Sequence, residues 1–201
     1  MKFGAIILAG GRGERFRGRK QFLDLRGKPL WKHVYDKAVQ ALGSDVNIVK
    51  VGIDFPGGDT RTDSVKLGLS ALDDDTDRVV IVEAARPLVT VRQLKQLLLD
   101  PAPSAAFVMP LVNTVVMRDG SYIDRDEMYE LLTPQAFDFQ KLASAYATGK
   151  HTDMTDETRV MFEEYAIRAH FIETDDNLIK VTYPRDVAVV EGMLQSRGDL
   201  L

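Results

Sequence analysis

The amino-acid sequence predicts an α/β fold: one domain over residues 1–201, with a mostly parallel sheet, helices on both of its faces and a short β-hairpin arm. Three observations carry that expectation. Short, almost wholly apolar runs such as FGAIIL and RVVIV suit strands buried on both sides. Those runs alternate with stretches of helical period, the pattern of a parallel sheet covered by its own crossovers. One segment, Asn113–Arg125, breaks the alternation with two β-rich arms around Asp119-Gly120, a hairpin signal.

Element by element, Phe3–Leu8 reads as the first buried strand. Pro29–Leu42 places Leu30, Trp31, Val34, Ala38 and Leu42 on one helical face, with Pro in the first turn and Gly43 past the end. Asn47–Ile53 is a second strand, and Thr62–Leu72 a helix whose opening TDS offers an N-cap. Arg78–Val82 is a strand, Thr90–Leu99 a helix capped by Thr90, and Ala105–Met109 a shorter strand. Beyond the hairpin, Phe137–Ala147 and Thr155–Tyr165 read as helices, with Thr133 and Gln135 as helix-start residues before the first and Thr155 and Asp156 available to cap the second. His170–Glu173 and Leu178–Thr182 are short strands, and Pro184–Leu194 is the closing helix. No repeat, low-complexity tract or long linker interrupts the chain.

Composition narrows the chemistry. A net charge of −4 gives no global attraction to nucleic acid or an anionic membrane. The absence of cysteine excludes disulfides, thiolate catalysis and Cys-based metal sites, and it fits a cytoplasmic setting. No apolar run approaches the roughly 20 residues of a membrane span, and the N-terminus lacks a signal-peptide cleavage pattern. The scattered His33, His151 and His170, with no H-E-x-x-H, argue against a His-based metal site or triad.

Against that acidic background, LAGGRGERFRGRKQF (Leu8–Phe22) is a local cluster of glycines and cations. It leaves the end of the first strand, where open α/β sheets place their ligands. Its glycines let backbone N–H groups approach an anion. It lacks both the third glycine of a dinucleotide fingerprint and the G-K-[ST] of a P-loop. Arg12, Arg15, Arg17, Arg19 and Lys20 together fit a polyphosphate whose charge is neutralised during reaction, the alternative being a solvated basic turn. In FPGGDTRTDSVKLGL, Gly57, Gly58, Arg61 and Ser64 offer donors to a base or ribose; a turn plus N-cap accounts for the polar residues but not for the glycines and Arg61. Glu83, at the end of the central strand, is a candidate Mg²⁺ ligand or a partner for Arg86.

Taken together, LAGGRGERF…KQFLDLRGKPL, GGDTRTDSVKLGL, AARPLV, LLTPQAF, MTDET and IKVTYPRD resemble the family of 2-C-methyl-D-erythritol 4-phosphate and ribitol 5-phosphate cytidylyltransferases, in the family's order. The resemblance implies a single Rossmann-like nucleotidyltransferase domain that transfers CMP from CTP to a small polyol phosphate, releases pyrophosphate and uses Mg²⁺. It implies that Arg15, Lys20 and Lys180 are catalytic, facing the reacting phosphates. Ala9, Gly10, Gly11, Gly13, Gly57, Gly58, Arg61, Ser64 and Arg86 would form the nucleotide side. Thr114, Thr133, Thr155 and, from the partner of a homodimer, Arg125 would bind the acceptor, with Glu83 at the metal.

The chain departs from the family in four places. Val82-Glu83 replaces His-Asp. Asn113-Thr114 replaces Asp-Thr, with Val116 where many members carry Lys. The segment from Leu42 to Gly57 is short by a βα unit, and the hairpin is compact. LAGG and TVV lean toward the ribitol branch and AARPLV toward the methylerythritol branch. Two other readings stay open: a nucleotide-binding homologue that has lost catalysis and acts as a regulatory or partner subunit, and a nucleotidyltransferase with a different base or acceptor.

Overall fold

The computed structural model describes residues 1–43, 47–174 and 178–196. In chain order the strands are β1 (Phe3–Leu8), β2 (Asp24–Leu25), β3 (Lys28–Pro29), β4 (Ile48–Val51), β5 (Arg78–Glu83), β6 (Ser104–Pro110), β7 (Val115–Val116), β8 (Tyr122–Ile123), β9 (Tyr129–Asp138) and β10 (His170–Glu173). The α-helices are α1 (Leu30–Leu42), α2 (Arg61–Ala71), α3 (Val91–Leu98), α4 (Phe139–Ala147), α5 (Glu157–Tyr165) and α6 (Arg185–Ser196). The main sheet has six strands in the order β10-β6-β9-β5-β1-β4. β9 runs antiparallel to both of its neighbours, and the other strand pairings are parallel.

Side-chain alternation along the strands builds a core on each face. Ala5, Ile7, Val80 and Val82 point to one side and pack with Val34 and Ala38 of α1 and Leu94, Leu97 and Leu98 of α3. Ile6, Val79 and Ile81 point to the other, against Val65 and Leu69 of α2, Leu142 and Ala145 of α4, and Val160 and Met161 of α5. A third cluster joins Val190 and Leu194 of α6 to Leu25, Leu30, Leu88 and Val181. Burial on both faces is why β1 and β5 show apolar runs without alternation.

The hairpin arm forms as β7 and β8, turning at Gly120 (φ 89°) with the Asp119 carboxylate accepting from Ser121 N at 3.0 Å. A second small hairpin, β2–β3, has no counterpart among the sequence expectations; it turns through Arg26 and Gly27, both at positive φ.

Three elements differ from the sequence expectations. Thr133 and Gln135 are not helix-start residues: they lie in β9, a ten-residue strand inserted between β5 and β6. Its register against β6 shifts between Ala106 and Val108, opposite the stretch holding the cis Thr133–Pro134 bond. A bulge is where a strand tolerates proline, whose nitrogen cannot join a ladder. Helix α4 therefore starts at Phe139, capped by Asp138, which accepts from Lys141 N. The cap of α2 is Thr60, which exchanges hydrogen bonds with Asp63 in a capping box, and not the TDS that follows. Residues 178–182 form no strand; Val181 N donates to Ala85 O at 2.8 Å, and the Leu178 and Val181 carbonyls accept from Arg86 and Lys20.

Candidate active site

A cleft of about 620 Å³ opens at the carboxyl ends of β1 and β5, where parallel strands deliver loops to one edge. Its floor is two backbone segments in contact. An added Cβ on Gly10 would lie 3.0 Å from Gly57 Cα, so the glycine pair lets the loop after β1 touch the loop after β4. The arginine-rich loop then folds back on itself: Gly18 N donates to Gly13 O, and Gly13 sits at φ +70° with no room for a side chain beside Gly18 O.

The wall draws on distant parts of the chain. Ala9, Gly10, Gly11, Gly13, Arg15, Lys20, Gly58, Arg61, Ser64, Glu83 and Lys180 all line it, as do Arg12, Glu14, Gln21, Asp59, Thr60 and Thr182. Its basic side chains outnumber its acidic ones, five to three, so an anion is favoured here although the whole chain is net negative.

Four of the cations have identifiable partners, Arg15, Lys20, Arg61 and Lys180. Arg15 is exposed at the rim, its guanidinium 6.0 Å from the centre of the Tyr183 ring. Lys20 Nζ donates to Val181 O at 2.6 Å. Burial pushes the Lys20 pKa down, and the neighbouring charges of Lys180 and Arg15 push the same way, against Glu83 and Asp186. Lys180 pairs with Glu83 at 2.6 Å. Burial alone would raise the Glu83 pKa, yet Lys180, with Arg86 and Arg61, holds it below the ordinary value. Ser64 Oγ accepts from Gly58 N and donates to Thr60 O, both at 3.1 Å, and so fixes the turn into α2.

Arg61 is the most constrained of the cations. Its two terminal nitrogens meet both carboxylate oxygens of the fully buried Glu157, at 2.6 and 2.7 Å, and its Nε lies 3.8 Å from Glu83. Burial would lower the pKa of this guanidinium, but Glu157 overrides that and raises it.

Other candidates lie outside the cleft wall. Gly57 packs against Gly10 in the floor without lining the open cleft. Arg86 is buried, donating to Thr133 Oγ1 at 2.7 Å and to the Leu178 carbonyl, and does not line the cleft. It anchors the 178–182 segment that carries Lys180, and Thr133 is occupied as its acceptor. Thr114 and Arg125 are exposed on the arm, where Arg125 donates to the Val112 carbonyl, and Thr155 is exposed ahead of α5. None of the four acceptor candidates, Thr114, Arg125, Thr133 and Thr155, lines the cleft, although Thr133 meets Arg86 behind it.

Asp59, Thr60, Gln21 and Thr182 are not among the sequence candidates. A T-x-x-D capping signal points to Thr60; Gln21, buried and donating to Gly11 O at 3.3 Å, gives no sequence signal.

Among the described residues no group of three or more His, Asp or Glu side chains is placed to hold a metal. Glu83 is a mostly buried carboxylate in the wall. One carboxylate suffices for magnesium carried mainly by phosphates, provided that Lys180 releases it.

A family profile described as IspD, 2-C-methyl-D-erythritol 4-phosphate cytidylyltransferase, matches residues 36–196. The chain belongs to the IspD family. Among IspD relatives, a 2-C-methyl-D-erythritol 4-phosphate cytidylyltransferase from Endomicrobium trichonymphae is 32% identical over 220 positions, covering 98% of this chain and all of that one. One from Chromobacterium violaceum is 32% identical, covering 97% of this chain and 99% of its own. The solved structure of the Thermus thermophilus cytidylyltransferase superposes with a TM-score of 0.78 at 23% identity, covering 97% of this chain and all of that one. A 4-diphosphocytidyl-2C-methyl-D-erythritol synthase from Anaerococcus prevotii gives 0.81 at 20% identity, covering 96% of this chain and 98% of its own. At such identities these two structures establish the fold. The first alignment runs longer than the 201 residues of this IspD chain, so that relative carries residues absent here. Among the described residues β4 leads to α2 with no element between them.

Proposed function

We propose that this IspD-family chain transfers CMP from CTP to 2-C-methyl-D-erythritol 4-phosphate and releases pyrophosphate. The observation that carries the proposal is the convergence of Arg15 and Lys20, from the first loop, with Lys180, from near the other end of the chain, on one glycine-floored cleft.

In the proposed reaction an oxygen of the acceptor's phosphate monoester attacks the α-phosphorus of CTP in line. The bond from that phosphorus to the oxygen bridging the β-phosphorus breaks, and pyrophosphate leaves with the electron pair. Little covalent chemistry falls to the protein, which positions the reactants and meets the charge on the non-bridging oxygens. Arg15, Lys20 and Lys180 supply that charge. The backbone of Ala9, Gly10, Gly11 and Gly13 lies along the phosphates, while Gly58, Arg61 and Ser64 sit at the nucleoside end. Bound magnesium would add charge neutralisation at the triphosphate, with Glu83 as its protein ligand. A cytoplasmic setting belongs to the same proposal and suits a chain without cysteine. So does a homodimer, because a partner's arm would bring Arg125 toward an acceptor that the isolated cleft does not surround.

A second acceptor, ribitol 5-phosphate or another alditol phosphate, is favoured by one observation: the LAGG and TVV segments lean toward the ribitol branch. Pyrophosphate release with Mg²⁺, assayed for all four nucleoside triphosphates against a panel of alditol phosphates, decides between them. Turnover greatest with CTP and the methylerythritol phosphate is the expected result. CTP binding without turnover on any acceptor would instead identify a homologue that has lost catalysis, and no CTP binding would reject both.

A further inference from the structure

The sequence motif MTDET contains a carboxylate, Glu157, that the proposed chemistry does not use, although it is fully buried. An ionised group so placed is costly unless it is paired and its lone pairs are satisfied. Glu157 meets that condition: both oxygens accept from Arg61, and Oε1 also accepts from the Tyr146 hydroxyl at 3.1 Å. Burial, followed by the charge of Glu157, raises the Tyr146 pKa, which keeps that phenol a donor.

The base from which Glu157 acts is itself fixed. Its neighbour Asp156 caps α5, accepting from Thr158 N at 2.8 Å, and accepts from Gln135 Nε2 of β9 at 2.5 Å. Two residues earlier, Met154 exchanges two hydrogen bonds with the Thr62 hydroxyl of α2, at 2.8 and 3.0 Å. Three elements therefore set the position of one carboxylate, and that carboxylate sets the plane of the Arg61 guanidinium. A bidentate fork of this kind fixes direction as well as distance.

Left alone, a guanidinium in this cleft would be a mobile cation within reach of Glu83, 3.8 Å from its Nε, and of a triphosphate. With both terminal nitrogens engaged by Glu157, its charge is matched and its place beside Gly58 and Ser64 is set. We propose that Glu157 is a positioning residue for nucleotide selectivity: it holds Arg61 at the nucleoside end of the cleft and off the phosphates. The proposal rests on the cytidylyltransferase reading above.

The test is the ratio of CTP to UTP affinity by calorimetry in wild type, Glu157→Gln, Arg61→Gln and the double variant. A ratio is insensitive to a variant that merely folds in part, because an inactive fraction weakens both ligands' signals alike. Loss of one directed, charge-assisted donor should cut the CTP preference roughly tenfold in Glu157→Gln. The double variant should be no less selective than Arg61→Gln, the non-additivity of residues that act as a unit. Inorganic tripolyphosphate should compete with CTP better in Glu157→Gln than in wild type, because the released cation reaches phosphate. An unchanged ratio, or losses that multiply in the double variant, would overturn the proposal. If Glu157→Gln does not fold, Tyr146→Phe keeps the ion pair and removes its third bond. It should lower the ratio about two- to threefold in wild type, and not in the Arg61→Gln background; any other pattern rejects the assignment. Wild type that fails to bind CTP, or to prefer it, would fell the cytidylyltransferase reading and this inference with it. Normal wild-type preference with an unaffected Glu157→Gln fells this inference alone.

Discussion

Glu83→Gln separates two tasks placed on one carboxylate. In the structure Glu83 holds Lys180 at 2.6 Å, so a triphosphate that recruits Lys180 must first break that pair. Lys180 is 36% exposed and Glu83 12%, so solvent screens the pair and the low end of the range for a charge-assisted contact applies, about 1 kcal/mol. Removing the charge while keeping the shape should therefore tighten CTP binding about fivefold when no metal is present. The same substitution removes the one protein carboxylate proposed for magnesium. Turnover at saturating CTP should fall by about 10- to 100-fold, and the magnesium concentration needed for half-maximal rate should rise. Calorimetry of CTP in chelator, followed by rate against magnesium concentration, reads both effects. CTP affinity that is unchanged or weaker without metal would refute the release of Lys180. A normal magnesium dependence would refute Glu83 as a ligand.

Arg15→Ala and Lys20→Ala should each lose roughly 100-fold or more in turnover by steady-state kinetics if they meet transition-state charge, and near-wild-type rates would remove them from the mechanism. Because the Lys20 pKa is depressed, its cation is lost as pH rises before the 10.5 of an ordinary lysine is reached. kcat/KM for CTP should accordingly fall as pH rises toward that value, and Lys20→Arg should abolish the fall; a flat wild-type profile contradicts the role. Arg86→Lys cannot reproduce a fork that serves both Thr133 and the Leu178 carbonyl. It should cost about 1–3 kcal/mol in denaturant unfolding and lower kcat further by loosening the Lys180 segment.

The strands and helices legible in the sequence are those whose burial is written locally. β1 and β5 are apolar because both faces are covered, and α3 carries its own start signal in Thr90 and Gln93. β9 is hidden because Thr133-Pro134 looks like the opening of a helix; only the neighbouring strands, which leave a bulge for the proline, make it a strand. The α2 cap is masked because four consecutive polar residues, Arg61 to Ser64, follow the true one, and geometry shows which side chain faces the exposed amides. On the nucleotide side, glycine spacing and charge density locate the cleft. What stays hidden is partnership: Arg61 and Glu157 are 96 positions apart, and no local pattern shows that the cation is already engaged. Arg86 reads as a nucleotide contact for the same reason, since its contacts with Thr133 and Leu178 come from other parts of the chain.

The place of β9 also constrains how the molecule can be made. β5 and β6 never pair with each other; each meets β9, which arrives after the arm. A nascent chain that has emerged only as far as β6 thus has a strand with an unfilled edge on β5, and β6 has nowhere to dock. The central gap closes only once residues up to Asp138 are available, so the N-terminal half is not an autonomous folding unit, and its bare apolar edges would seek other chains. Fragments ending before β9 should aggregate where the whole chain does not. The same dependence on distant pairings points to slow, late consolidation of the sheet on which the cleft is built.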